Sequence, residues 1–151
     1  MEVRKAQRKD FYRIAMLFKD FANAAPVEYY HDPEYNINHI YKRFDYVRMA
    51  GVLLVAEHEE DIVGFLMAAP VEDVWLTDRL TMRELAWWVD PEYRSTSAGG
   101  RLFIDYQNHC EQLLQAGCIV GYTMTMLEQS PNINLEKRGM DKIESIYMRT
   151  A

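Results

Sequence analysis

The part of the chain best suited to chemistry reads Asp90, Pro91, Glu92, Tyr93, Arg94, Ser95, Thr96, Ser97, Ala98, Gly99, Gly100, Arg101. Small residues fill it, and it stands where an apolar, strand-like run hands over to a helical pattern. Such a turn leaves several backbone N–H groups without helical partners, and the aligned peptide dipoles favour negative charge at the same place. A phosphate can therefore dock there without side-chain help. Gly99 and Gly100 let the backbone approach closely. The hydroxyls of Ser95, Thr96 and Ser97 can add donors, and Arg94 or Arg101 can add charge. The plainer reading is a helix capped by Ser97 or Thr96 after a tight turn. A P-loop is a poor match, because Arg94 precedes the glycines and no Gly-Lys-Ser/Thr follows them.

The elements around this turn follow from periodicity. Residues 3–6 read as a strand, and residues 10–22 as a helix through Phe11, Ile14, Leu17, Phe18 and Phe21. Pro26 and Pro33 interrupt residues 23–38, a loop with an aromatic surface. Ile37, Ile40, Tyr41, Phe44 and Val47 recover a helical period that stops near Gly51. Residues 52–57 and 62–69 read as a hairpin, and residues 82–89 as a further strand ended by Asp90 and Pro91. Leu102, Phe103, Tyr106, Cys110, Leu113 and Leu114 mark one face of a helix from near Gly99 to before Gly117. A strand over 119–126, a short helix over 132–138 closed by Gly139 and a last strand over 142–149 complete a mixed α/β order, one sheet layer flanked by helices.

With 151 residues, 49% of them hydrophobic, the chain suits a single domain spanning residues 1–151. No window approaches eighteen consecutive apolar residues, and Met1, Glu2, Val3, Arg4 and Lys5 lack a secretory stretch, so the expectation is a soluble cytoplasmic protein with no membrane partner. Cys110 and Cys118 lie outside any CxxC and have no histidine at ligand spacing, so neither a metal site nor a disulfide framework is expected. The formal charge of −6 is spread along the chain, which argues against nucleic acid. It is compatible with an amine substrate, although solubility alone accounts for it.

The run Trp88, Val89, Asp90, Pro91, Glu92, Tyr93, Arg94, followed by small residues, Gly99 and Leu102, resembles the V-D-P-x-x-R-x-x-G-x-G/A signature of the GNAT acyltransferases. The opening Val3, Arg4, Lys5, Ala6 and Asp10 is similar to that family's first strand and helix, and Asn134 to Met140 to its N-x-x-x-x-G-F segment. The 87–100 stretch also looks like bacteriophage-encoded members. The resemblance implies an α/β GNAT fold, a mixed and mostly antiparallel sheet of six to seven strands with about four helices. It also implies acetyl-CoA as co-substrate, its pyrophosphate held by Arg94, Ser95, Thr96, Ser97, Ala98, Gly99 and Gly100, with Trp88, Val89 and Asn134 along the rest of the cofactor. Two positions depart from the pattern. Ser97 replaces the usual first glycine, and Leu135 replaces a tyrosine that protonates the departing thiolate.

By the same resemblance the fourth and fifth strands splay, with the pantetheine arm between Trp88 and Val89 on one side and residues 122–125 on the other. Glu84 is the candidate general base, directly or through water. Counting back from Val89 places the family's glutamate on Arg83, one residue off, and a β-bulge in that strand would restore the match; the alternative is an exposed carboxylate or an ion-pair partner of Arg83 or Arg79. Tyr122, and after it Tyr147, are candidate acids in place of the missing tyrosine, with packing or a water as the alternatives. Trp87 and Trp88 point to opposite faces, as core or as a wall of the acceptor pocket. The acceptor site falls over residues 25–38, where Glu28, Tyr29 and Tyr30 suit a cationic amine and plain surface is the alternative. The activity implied is acetyl transfer to a primary amine of a small molecule or protein by direct attack in a ternary complex. The competing class is a catalytically weak CoA-binding protein that works through protein contacts. A homodimer is compatible with either.

Overall fold

The computed structural model describes residues 1–28, 31, 36–127, 130 and 133–150. Its five strands are β1 (Glu2–Lys5), β2 (Val52–His58), β3 (Asp61–Glu72), β4 (Leu80–Val89) and β5 (Gly121–Thr123), in spatial order β1-β2-β3-β4-β5. Neighbours are antiparallel except β4 and β5, which run parallel across the connecting helix α3 (Ala98–Gln115). The other helices are α1 (Phe11–Ala24) and α2 (Ile37–Ala50).

Alternation along the strands sorts the core into two halves. Leu53, Val55, Phe65, Met67 and Ala86 face α1 and α2, where Phe11, Ile14, Leu17, Phe44 and Val47 are buried. Val52, Leu54, Ala56, Leu66 and Met82 face α3 and meet Leu102, Tyr106 and Cys110. Both faces of the sheet are thus covered, and β2 and β3 read as continuous apolar runs for that reason. The first strand is tied down by Arg4, whose guanidinium bonds Asp10 at 2.7 and 3.1 Å and Glu57 at 2.8 Å. Asp10, 6% exposed, also accepts the Gln7 N–H at 2.7 Å and so fixes the entry to α1.

The decisive irregularity lies in β4. Met67 pairs with Ala86 but Ala68 pairs with Glu84, which leaves Leu85 as an extra residue in a β-bulge. Without it Met82, Glu84, Ala86 and Trp88 would share one face. With it, Met82 packs on the α3 side, while Ala86 and Trp88 pack on the α1 side.

The sheet is smaller than the expected six to seven strands and four helices. Residues 142–149 form no strand, and Ile143, Ile146 and Tyr147 are 77%, 68% and 94% exposed. β5 is three residues long, so it offers little ladder for a further strand to join. The expected helix over 132–138 is reduced to one 3₁₀ turn, Glu136–Arg138, closed by Gly139 at φ 79°. The β3–β4 loop presents Val74 and Trp75, 87% and 88% exposed, on a turn whose Asp73 carboxylate accepts the N–H groups of Trp75 and Leu76 at 2.7 and 2.9 Å. Among the described residues no helix is long and apolar enough to cross a membrane.

Candidate functional site

β4 and β5 are paired only over Thr81–Gly121, Met82–Tyr122 and Arg83–Thr123. Beyond that point, among the described residues, this edge of β4 has no partner strand as far as Val89, and along it lies a cavity of about 900 Å³. Glu84, Trp87, Trp88, Arg94, Gly99 and Thr125 are among its lining residues, so it extends from the bulge in β4 to the start of α3. The carbonyl of Trp88 turns toward β3, 2.9 Å from where a Gly64 side chain would begin. Trp87 and Val89, one residue either side, therefore direct their backbone polar groups to the open edge.

Glu84 sits at the inner end. It is 5% exposed, and its Oε2 accepts the Thr125 N–H at 3.0 Å. Burial pushes its carboxyl up to about 7, against the opposing pull of the Thr125 amide and of Arg83. A carboxyl in that range exchanges protons near neutrality, as a general base must. The bulge at Leu85 is of the kind that would bring Glu84 to the face Arg83 otherwise takes. Arg83 beside it is exposed, and among the described residues Glu84 forms no ion pair.

At the outer end the chain makes one 3₁₀ turn, Pro91–Tyr93, and enters α3. Ser97 holds the cap position without a side-chain bond, and the Thr96 hydroxyl serves in its place: its Oγ1 accepts the Ala98 N–H at 3.2 Å and donates to the Tyr93 carbonyl at 2.6 Å. The Arg101 N–H bonds the Ser97 carbonyl at 2.9 Å, so the Gly99 and Gly100 amides are left without a partner among the described residues. No side chain or neighbouring segment comes within 4 Å of where a Gly100 side chain would start, so the start of α3 is uncovered there. Ser97 has φ −78°, so a serine fills the glycine position without strain. Arg94 is held over the Trp88 ring at 4.3 Å, and its Nε donates to the Val89 carbonyl at 3.1 Å.

The remaining residues singled out in the sequence divide. Trp88, Val89, Arg94, Thr96, Gly99 and Gly100 line the cavity; Ser95 and Ser97 are exposed on the loop beside it, and Ala98 is wholly buried in the α3 core. Trp87 lines the cavity and stacks on Phe103 at 6.0 Å. Asn134 accepts the Lys137 N–H at 2.9 Å and lines a second cavity of about 630 Å³, which shares Ile133 as wall with the first. Tyr122 is not brought to the site. Its hydroxyl donates to Glu111 at 2.8 Å and accepts from Gln107 at 3.2 Å, on the α3 side. Tyr147 is solvent-exposed. Glu28 is exposed, while Tyr29 and Tyr30 lie outside the described residues. Sequence reasoning missed Phe21, Ala24, Val71 and Ile146 as cavity wall, because only the tertiary fold carries them there. Among the described residues no group of three or more His, Cys, Asp or Glu is placed to hold a metal ion.

This chain belongs to the acetyltransferase (GNAT) family, whose model matches residues 5–140. It is accordingly an acyltransferase, of a family that uses acetyl-CoA. The fold is shared with an acetyltransferase of Trypanosoma brucei, TM-score 0.70 and 22% identity over 99% of this chain and 98% of that one. A predicted acetyltransferase with acetyl-CoA from Clostridium acetobutylicum gives TM-score 0.74 at 13% identity over 99% and 95%. Glucosamine-6-phosphate N-acetyltransferase from Arabidopsis thaliana gives TM-score 0.67 at 17% identity over 99% and 97%. These relatives give no support to a bacteriophage origin. No curated protein matches the chain significantly.

Proposed function

We propose that this protein transfers the acetyl group of acetyl-CoA to a primary amine by direct attack, with Glu84 as general base. The observation that carries the reading is the buried carboxylate of Glu84 at the point where β4 loses its neighbour, in a cavity that reaches the unpartnered Gly99 and Gly100 amides. Those amides and Arg94 suit a pyrophosphate. The open edge of β4 suits an extended amide-bearing arm, which would add to the sheet as a strand does. Acetyl-CoA supplies the activated acyl group. Glu84, directly or through a water, takes the proton that the amine must lose as its nitrogen bonds the acetyl carbon and the carbon–sulfur bond breaks.

No tyrosine lines the cavity among the described residues, so the thiolate would take its proton from water. That same observation supports a second reading, a slow enzyme that binds CoA and works chiefly through protein contacts. Titration of acetyl-CoA into the wild type and into Gly99→Glu, followed by thermal stability, tests the cofactor site. The substituted Cβ meets only ordinary contacts at 3.7 Å, from Trp87 and Val89, so the variant folds and the added carboxylate repels the pyrophosphate. Wild-type stabilisation that is lost in the variant supports the reading. An absence of wild-type binding at millimolar cofactor would overturn it. An amine screen with Glu84→Gln as control then separates turnover from binding alone.

A further inference from the structure

Tyr106 comes from the middle of α3, is wholly buried, and ends between two strands. Its hydroxyl lies 3.1 Å from the Thr123 carbonyl of β5 and 3.4 Å from the Met82 carbonyl of β4. These carbonyls belong to the last two rungs of the β4–β5 ladder, Met82–Tyr122 and Arg83–Thr123. One residue further along β4 stands Glu84, and two residues beyond Thr123 is the Thr125 amide that bonds it at 3.0 Å. Packing alone does not call for this oxygen. A phenylalanine would fill the same core, and a buried hydroxyl costs free energy unless it is bonded. The oxygen is bonded to backbone at the very place where the two strands separate.

We propose that Tyr106 is a positioning residue which fixes the point at which β4 and β5 part and thereby holds the Thr125 amide on Glu84. The inference rests on Glu84 being the base of the reaction. A hydroxyl that clamps the last rung keeps β5 from drifting off β4, and the width of the opening beyond it sets how an extended substrate arm fits. Loosening the clamp lengthens the bond from the Thr125 amide, the largest of the influences, ahead of the Thr125 side chain and Arg83, that hold Glu84 down against burial. The ionisable groups coupled to Glu84 or Tyr106 are Arg83 on β4, Cys110 on α3 and Tyr122 on β5. Burial raises Cys110 to about 11 and lifts both tyrosines above their ordinary value. A titration near pH 7 within this group therefore belongs to Glu84.

The test compares Tyr106→Phe with the wild type in two ways. The first is the pH at which the Glu84 carboxyl titrates, read by NMR on protein labelled with ¹³C at the glutamate carboxyls, with Glu84→Gln assigning the signal. The second is acetyl-CoA affinity. The expected result is a titration midpoint at least half a pH unit higher and acetyl-CoA binding several-fold weaker, with the fold retained. Leu102→Ala, which damages the same core but removes no group bonded to the Tyr106 oxygen, is expected to lower the melting temperature without moving the midpoint. An unchanged midpoint in Tyr106→Phe, or an equal displacement in Leu102→Ala, overturns the proposal. The carboxyl titration is read without turnover, so an inactive wild type would defeat the acetyl-transfer reading and still leave this result decisive.

Discussion

The two edges of β4 have opposite fates. Against β3 it is paired from Leu80 to Val89, the bulge at Leu85 included, whereas against β5 the pairing stops at Arg83. The closed edge is filled to the point that Gly64 has no room for a side chain. The open edge borders a cavity of about 900 Å³ with a buried carboxylate at one end and unpartnered helix amides at the other. One strand thus serves as the middle of the fold and as the wall of the site. The bulge reconciles the two, because it lets Glu84 stay on the α3 side while Ala86 and Trp88 pack on the α1 side. Stability and chemistry should therefore respond separately to changes on the two edges.

The largest effect belongs to the closed edge. Gly64→Val places a branched side chain 2.9 Å from the Trp88 carbonyl, so the ladder must shift. The expected loss is about 3 kcal/mol or more of folding stability, measured by urea denaturation; a variant as stable as the wild type would show that this edge has slack. On the open edge, Glu84→Gln should lower kcat/KM about 10² to 10⁴-fold, and the wild-type rate should rise with pH through about 7 as the carboxyl ionises.

The same substitution should stabilise the protein in alkali. The folded state holds the Glu84 proton more tightly than the unfolded chain, about 7 against an ordinary 4.5. Its stabilising contribution is therefore full below about pH 4.5 and lost as pH rises through 7, a difference of about 3 kcal/mol by linkage. Glutamine removes that slope, and melting curves of the two proteins at pH 5 and pH 9 would reveal it; parallel curves would mean that Glu84 is not desolvated. The smallest effect is expected at Tyr122, whose hydroxyl is engaged by Glu111 and Gln107 away from the cavity. Tyr122→Phe should change kcat by no more than about twofold. A hundredfold loss would restore it as the acid and call for strand movement during turnover.

The outer end of the site was legible in the sequence because its signals are local. Glycines and hydroxyl residues at a strand-to-helix turn act through their own backbone, and Thr96 and Gly99 lie where they were expected. The bulge was legible only as a counting mismatch between Glu84 and Val89. The inner end depends on what tertiary structure brings together. Tyr106 reads in the sequence as one more apolar position on a helix, and its hydrogen bonds to two strands have no sequence signal. Residues 142–149 misled for the complementary reason: their alternation fits a strand, but a strand also needs a ladder to join, and β5 is too short to offer one. Tyr122 was chosen by strand position, and the side of the sheet it faces became visible only once α3 was in place.

The placement of the three tryptophans gives the protein a built-in optical gauge. Trp87 and Trp88 border the cavity, one against Phe103 and the other beneath Arg94, while Trp75 stands in solvent on the β3–β4 loop. Emission from the first two answers to whatever enters the opening, and that of the third contributes a steady, water-relaxed background. Once Trp75 is exchanged for phenylalanine, the remaining light comes from the site alone, and arrival of a cofactor can be followed in real time without a label.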